Sequence, residues 1–80
     1  MVLKELRVGT AELCLPADGG SGLCRRLLDM GFADGMPVER LYTNPGGTLA
    51  AFRIQDSMVA LRQADLDQIQ IRSPEESKRP

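Results

Sequence analysis

Apolar and polar positions alternate over Thr10–Leu15, with Ala11, Leu13 and Leu15 on one side and Thr10, Glu12 and Cys14 on the other. A period of two predicts a half-buried strand. Ahead of it, Leu3, Leu6 and Val8 anchor a lead-in that Gly9 ends. Pro16 stops the strand, and Asp18-Gly19-Gly20-Ser21-Gly22 reads as a loop. The period then changes. Leu23, Leu27 and Met30 recur at i, i+4 and i+7, which predicts a short helix over about Gly22–Met30 with these three on one face. Asp18 or Ser21 is placed to cap its first N–H groups. Arg25, Arg26 and Asp29 lie off the stripe, with Arg25 and Asp29 at i, i+4 in the less favourable charge order. Leu28 is turned about 100° from Leu27, so it either fills the gap to the lead-in or stays on the surface as a contact. Gly31 sits where a left-handed residue closes a helix, and Phe32 follows where an apolar side chain packs back on the last turn. Gly35 completes a second turn.

Beyond it the period returns to two. Met36–Thr43 reads as a strand whose phase slips between Val38 and Leu41, the signature of a bulge or strong bend. Asn44-Pro45-Gly46-Gly47 is a turn. Leu49–Ile54 alternates, with Ala50, Phe52 and Ile54 together, and Gln55-Asp56-Ser57 leads tightly into Met58–Leu61. Gln63–Asp67 has room for one helical turn before a short closing strand through Ile69 and Ile71. Ser73–Pro80 has two prolines, several charges and no large apolar residue, and reads as a disordered tail. The expectation is one domain over residues 1–72 and a tail over 73–80. Five short strands in so few residues do not make a two-sheet sandwich. An all-β, SH3-like small barrel, with one helix inserted after the first core strand, closes the edges instead.

Composition narrows the function. The chain has 80 residues, and surface scaling leaves it roughly 60% buried on folding, too little to build a core and a deep cleft together. Ten Lys+Arg oppose eleven Asp+Glu for a net charge of −1, and the aromatics are Phe32, Tyr42 and Phe52 alone. Neither phosphate neutralisation nor base stacking is supplied, so no nucleic-acid partner is expected. There is no histidine, and Cys14 and Cys24 are ten positions apart, which is no metal-ligand spacing. No nucleophile–base pair and no P-loop is present, although Gly19-Gly20-Ser21-Gly22 ahead of a helix could face an anion. No catalytic residue, cofactor or metal is expected. The longest apolar runs are four residues, Leu49–Phe52 and Met58–Leu61, so no membrane insertion or secretory signal is expected either. The chain reads as a soluble cytoplasmic protein.

The run Arg25-Arg26-Leu27-Leu28-Asp29-Met30-Gly31-Phe32, followed by Gly35, resembles the signature of the FeoA family, small cytoplasmic accessory proteins of bacterial ferrous iron uptake. The resemblance extends over about residues 3–72 through Gly9, Gly19-Gly20, Pro45-Gly46-Gly47, Leu49–Ile54 and Ala60-Leu61-Arg62. It implies an SH3-like barrel and a partner, the cytoplasmic part of the ferrous iron transporter FeoB, which carries a GTP-binding domain. It implies the role of a non-enzymatic adaptor or regulator. Where the family often has Gly in the hairpin turn, Asp56 stands here, and Asp tolerates the left-handed region.

Partner contacts are expected from two places. The first is the helix face Arg25, Arg26, Leu28 and Asp29, with Arg26 as the anchor for a carboxylate. The second is the turn with Asn44 and Pro45, beside Tyr42, whose hydroxyl favours the surface. Gly31 and Gly35 are expected to be structural. Arg62 has Asp65 and Asp67 as internal partners. An exposed strand edge leaves weak self-association open. The alternative function is a small metal-responsive regulator that binds Fe²⁺ or another divalent ion directly through Cys14 and Cys24.

Overall fold

A computed structural model describes residues 1–16, 18 and 20–73. The alternating segments become strands β1 (Thr10–Cys14), β2 (Pro37–Thr43), β3 (Leu49–Ile54), β4 (Ser57–Arg62) and β5 (Gln70–Arg72). The helix α1 spans Gly22–Asp29, and two 3₁₀ helices span Leu3–Glu5 and Gln63–Gln68. The proposed tail lies outside the described residues from position 74 onward, as does Gly19 of the loop.

All strand pairs are antiparallel, in the order β4-β3-β2-β1-β5. The first core strand is therefore flanked by β2 and the last strand. The lead-in joins the same side: the Leu3 N–H donates to the Ile69 carbonyl at 2.8 Å and the Ile71 N–H to the Met1 carbonyl at 2.8 Å. A barrel closed by hydrogen bonds is not formed, because no pairing joins β4 to β5 among the described residues. The gap between them is covered by the 3₁₀ helix Gln63–Gln68, which packs on β4, on α1 and on the first 3₁₀ helix. Its Leu66 is fully buried.

Inward positions alternate as the sequence requires. Ala11 and Leu13 of β1, Val38 of β2, and Ala50, Phe52 and Ile54 of β3 meet Leu3, Leu6, Leu27, Leu66, Ile69 and Ile71 in one core. The phase slip in β2 is a bulge: Arg40 pairs with Phe52, but Tyr42 rather than Leu41 pairs with Ala51. The extra residue reverses the faces after it. Arg40 lies on the core side with Val38, and Tyr42 points outward, 59% exposed.

Two local expectations are corrected. Met30 is not on the buried stripe of α1: it is 57% exposed, and Cys24 is buried beside Leu23 and Leu27. The regular helix stops at Asp29, so the i+7 position falls in the cap, and Phe32 returns to the core in its place. In the β3–β4 hairpin the left-handed residue is Gln55, at φ 59°, and not Asp56. With two residues between Ile54 and Ser57, a positive φ at the first position alone fits a type II′ turn.

The end of α1 closes as a Schellman motif. The Phe32 N–H donates to the Leu27 carbonyl and the Gly31 N–H to the Leu28 carbonyl, both at 3.0 Å. Gly31 stands at φ 100°, and a Cβ there meets nothing within 4 Å. Replacement therefore strains the backbone without a clash. Gly31→Ala is expected to destabilise the fold by about 1–2 kcal/mol, read as a lower urea midpoint with an unchanged slope.

Candidate functional site

The face of α1 is set by its two ends. Ser21 is the N-cap, its Oγ accepting from the Cys24 N–H at 3.2 Å, and the Schellman motif fixes the other end. Burying Leu23, Cys24 and Leu27 then leaves Arg25, Arg26 and Asp29 exposed on the outer side. None of the three makes an ion pair among the described residues. The Arg25–Asp29 pair that their spacing allows is not formed. Asp29 is the last helical residue, next to the negative end of the helix dipole, where a carboxylate costs about 0.3–1 kcal/mol. Leu28 is half-buried and packs against the edge of the core.

The turn after β2 is built around Asn44. Its Oδ1 accepts from the N–H groups of Thr48 at 2.9 Å and Leu49 at 3.0 Å, and its Nδ2 donates to the Thr48 Oγ1 at 3.0 Å. The Gly47 N–H donates to the Asn44 carbonyl at 2.9 Å. The Asn44 amide is thus spent on holding the turn closed, whereas Pro45 is exposed at its tip.

The helix face and the turn do not form one patch. They flank the 3₁₀ helix Gln63–Gln68 at opposite ends. At one end, the Gln68 carbonyl accepts from the Ser21 Oγ at 3.3 Å and the Cys24 Sγ at 3.5 Å. At the other, the Gln63 N–H donates to the Thr48 carbonyl at 2.8 Å. Six residues of 3₁₀ helix are about 10 Å long, and that length separates the two anchoring points.

Arg40 was not among the residues the sequence singled out. Its Nε donates to the Leu6 carbonyl at 2.6 Å and its Nη2 to the Lys4 carbonyl at 3.2 Å. Its Nη1 donates to the Thr43 Oγ1 at 3.1 Å and the Gln63 Oε1 at 3.5 Å. The guanidinium carbon lies 5.1 Å from the centroid of the Phe52 ring. Every acceptor is neutral. Burial, and then the charge of Arg7, lower its pKa. The only signal in the sequence was a basic residue just before the phase slip in β2.

Other charges serve the sheet. Arg72 donates to Glu12 at 3.2 Å, lies 3.5 Å from the Asp34 carboxylate and donates to the Cys14 Sγ at 3.5 Å. Asp34 in turn accepts from the Leu15 N–H at 2.9 Å. Arg62 takes Asp65, at 2.8 Å, of its two available partners. Gly35, at φ 88°, donates to the Leu13 carbonyl at 2.8 Å and extends the β1 ladder. Cys14 is half-buried, Cys24 is buried, and both are free thiols. Among the described residues no three Cys, Asp or Glu side chains gather where they could hold a metal ion.

Lysine cannot reproduce the fork that Arg40 presents to two carbonyls. Arg40→Lys is expected to cost about 1–2 kcal/mol from lost hydrogen bonds to a charged donor, read as a lower urea midpoint. An unchanged midpoint is the result that removes Arg40 from this structural role.

The FeoA domain family model matches residues 1–73. The chain is similar to the solution structure of a FeoA protein from Chlorobium tepidum, with a TM-score of 0.74 and 24% identity over 92% of this chain and 70% of that one. It is similar to the iron(II) transport protein A of Clostridium thermocellum, with a TM-score of 0.70 and 24% identity over 94% of this chain and 46% of that one. It is also similar to the crystal structure of Stenotrophomonas maltophilia FeoA, with a TM-score of 0.63 and 26% identity over 89% of this chain and 88% of that one. That protein is complexed with zinc and is described as a procaryotic SH3 domain protein and a candidate ferrous iron transport activating factor. The fold is SH3-like, as the strand pattern implied. No curated protein sequence matches the chain.

Proposed function

The chain belongs to the FeoA domain family, and on that premise we propose that it acts in the cytoplasm by binding the cytoplasmic part of the ferrous iron transporter FeoB. FeoA proteins are non-enzymatic accessories of ferrous iron transport. No helix among the described residues is long and apolar enough to cross a membrane, which accords with contact through a soluble surface.

The observation that supports this reading is the outer face of α1. Arg25, Arg26 and Asp29 are exposed on a helix capped at both ends, and they form no ion pair among the described residues. Asp29 lies against the helix dipole, so the fold gains nothing from it. A rigid helix with unspent charges is preorganised for a partner. Arg26 would take a carboxylate in bidentate fashion, and the half-buried Leu28 would supply a small apolar centre. Pro45, at the tip of the Asn44 turn, would contribute from the far end of the 3₁₀ helix.

The test is calorimetric titration of the soluble cytoplasmic domain of the cognate transporter into this protein. Arg26→Ala is expected to weaken binding about tenfold, the loss of roughly 1.4 kcal/mol typical of an interface anchor, with the urea midpoint unchanged. Binding of the wild-type protein with no loss in Arg26→Ala, Leu28→Ala or Asp29→Asn would show that another face is used. Asp29→Asn is separately expected to raise fold stability by about 0.3–0.5 kcal/mol through relief at the helix end, measured by the same urea titration.

A further inference from the structure

A groove of about 430 Å³ runs beside the Asn44 turn, lined by Lys4, Gly47, Thr48, Arg62, Gln63 and Ala64. Its volume is in the range of ligand sites, but it is open to solvent along its length, which suits a stretch of chain better than an enclosed small molecule. Its walls are fixed. The Gln63 N–H donates to the Thr48 carbonyl, and the Asn44 side chain holds Thr48 and Leu49 in place. The lining is mostly apolar, and long basic side chains such as Lys4 and Arg62 cover apolar surface with their stems while their charged ends stay in water.

Two cations, Lys4 and Arg62, line the groove, and the carboxylate nearest to Arg62 is Asp65. Lys4 makes no ion pair among the described residues. Arg62 reaches Asp65 through its Nε and has a side chain 73% exposed. Behind the groove, Gln63 accepts from Arg40, whose own acceptors are all neutral, and Arg7 adds a further positive charge near it. The one nearby carboxylate of the lead-in, Glu5, accepts from the Val2 N–H at 2.9 Å. A chain of net charge −1 thus presents a local concentration of cations with few counter-charges. The groove also begins at Arg62, the last residue of β4, whose outer edge pairs with no strand among the described residues.

We propose that this groove binds an extended, acidic segment of a partner protein, its carboxylates at Lys4 and Arg62 and small apolar side chains between them. The inference rests on the adaptor reading, and it assigns to the turn side of the surface the chemistry of what is recognised there.

The test needs no transporter for its first arm. The full chain, labelled with ¹⁵N, is titrated with the peptide acetyl-Glu-Leu-Glu-Leu-Glu-amide, with its Lys-Leu-Lys-Leu-Lys counterpart, and with an oligothymidylate of matching charge. Saturable movement of the Gly47, Thr48, Gln63 and Ala64 amide signals is expected with the glutamate peptide alone. The Lys4→Glu, Arg62→Glu double variant is expected to bind at least tenfold more weakly with its spectrum otherwise dispersed as in the wild type. Should that variant lose its dispersion, the milder Lys4→Gln, a change at an exposed side chain, is expected to weaken binding severalfold. Silence of those four amides, an equal response to the lysine peptide or the oligothymidylate, or full binding by a folded variant would each overturn the proposal. In the second arm the same variants meet the transporter's cytoplasmic domain. A domain that binds wild type and groove variants equally overturns the groove while leaving the adaptor reading intact. Absence of any domain binding beside a positive peptide titration would overturn the adaptor reading alone.

Discussion

A guanidinium surrounded by neutral oxygens holds the two ends of this small sheet together. Arg40 gives hydrogen bonds to the Leu6 and Lys4 carbonyls of the lead-in, to Thr43 across the bulge of its own strand, and to Gln63 at the start of the second 3₁₀ helix. Its guanidinium carbon lies over the ring of Phe52, the largest fully buried side chain. One side chain on β2 therefore ties the lead-in and the second 3₁₀ helix, which no strand ladder joins, to the middle of the sheet. A fold this size has little core to spare, and carbonyls at the end of a short helix need donors that water would otherwise supply. The bulge at Leu41 belongs to the same arrangement, since it lets Arg40 face inward while Tyr42, two residues on, faces out.

The elements that could be read from the chain are those set by neighbours in sequence. The strand of Thr10–Leu15, the helix with its Ser21 cap and Gly31 closure, the Asn44 turn and the β2 bulge all declare themselves by period or by turn residues within a few positions. Met30 follows the i, i+4, i+7 stripe but lies one residue past the last regular turn, in the cap, where that period no longer holds. Gln55 was passed over because the type of a two-residue turn depends on strand twist rather than on which residue prefers the left-handed region. Arg40 could not be found at all: its carbonyl partners are 34 and 36 residues away, and backbone carbonyls leave no trace in a pattern of side chains. The groove was missed for the same reason, being assembled from the lead-in, the turn and the second 3₁₀ helix.

The outward surface divides along that 3₁₀ helix. On the α1 side the side chains are of mixed sign, lie on a regular element and have no work to do in the fold. On the turn side the cations gather around a fixed depression, and the one polar side chain of the turn, Asn44, is committed to its own loop. A partner that spans both would meet a helix of mixed charge at one end of the 3₁₀ helix and a groove at the other. In a fold whose strands are short and whose core is small, the elements between strands are where the sheet imposes least on side-chain choice.

The sheet order also bears on how the chain comes into being. The Thr10–Cys14 strand is paired on one side with Gln70–Arg72, which is made after it, and the Met1 and Leu3 backbones bond to Ile71 and Ile69. On a ribosome the first strand must wait for the last to leave the exit tunnel before its second neighbour exists. Until then Leu3, Leu13 and Leu27 have no Ile69 or Ile71 to cover them. Translation at roughly 5–20 residues per second leaves that half-built sheet uncovered for seconds. Nascent-chain handling, rather than any property of the finished surface, is where a slow codon between the two strands would be felt.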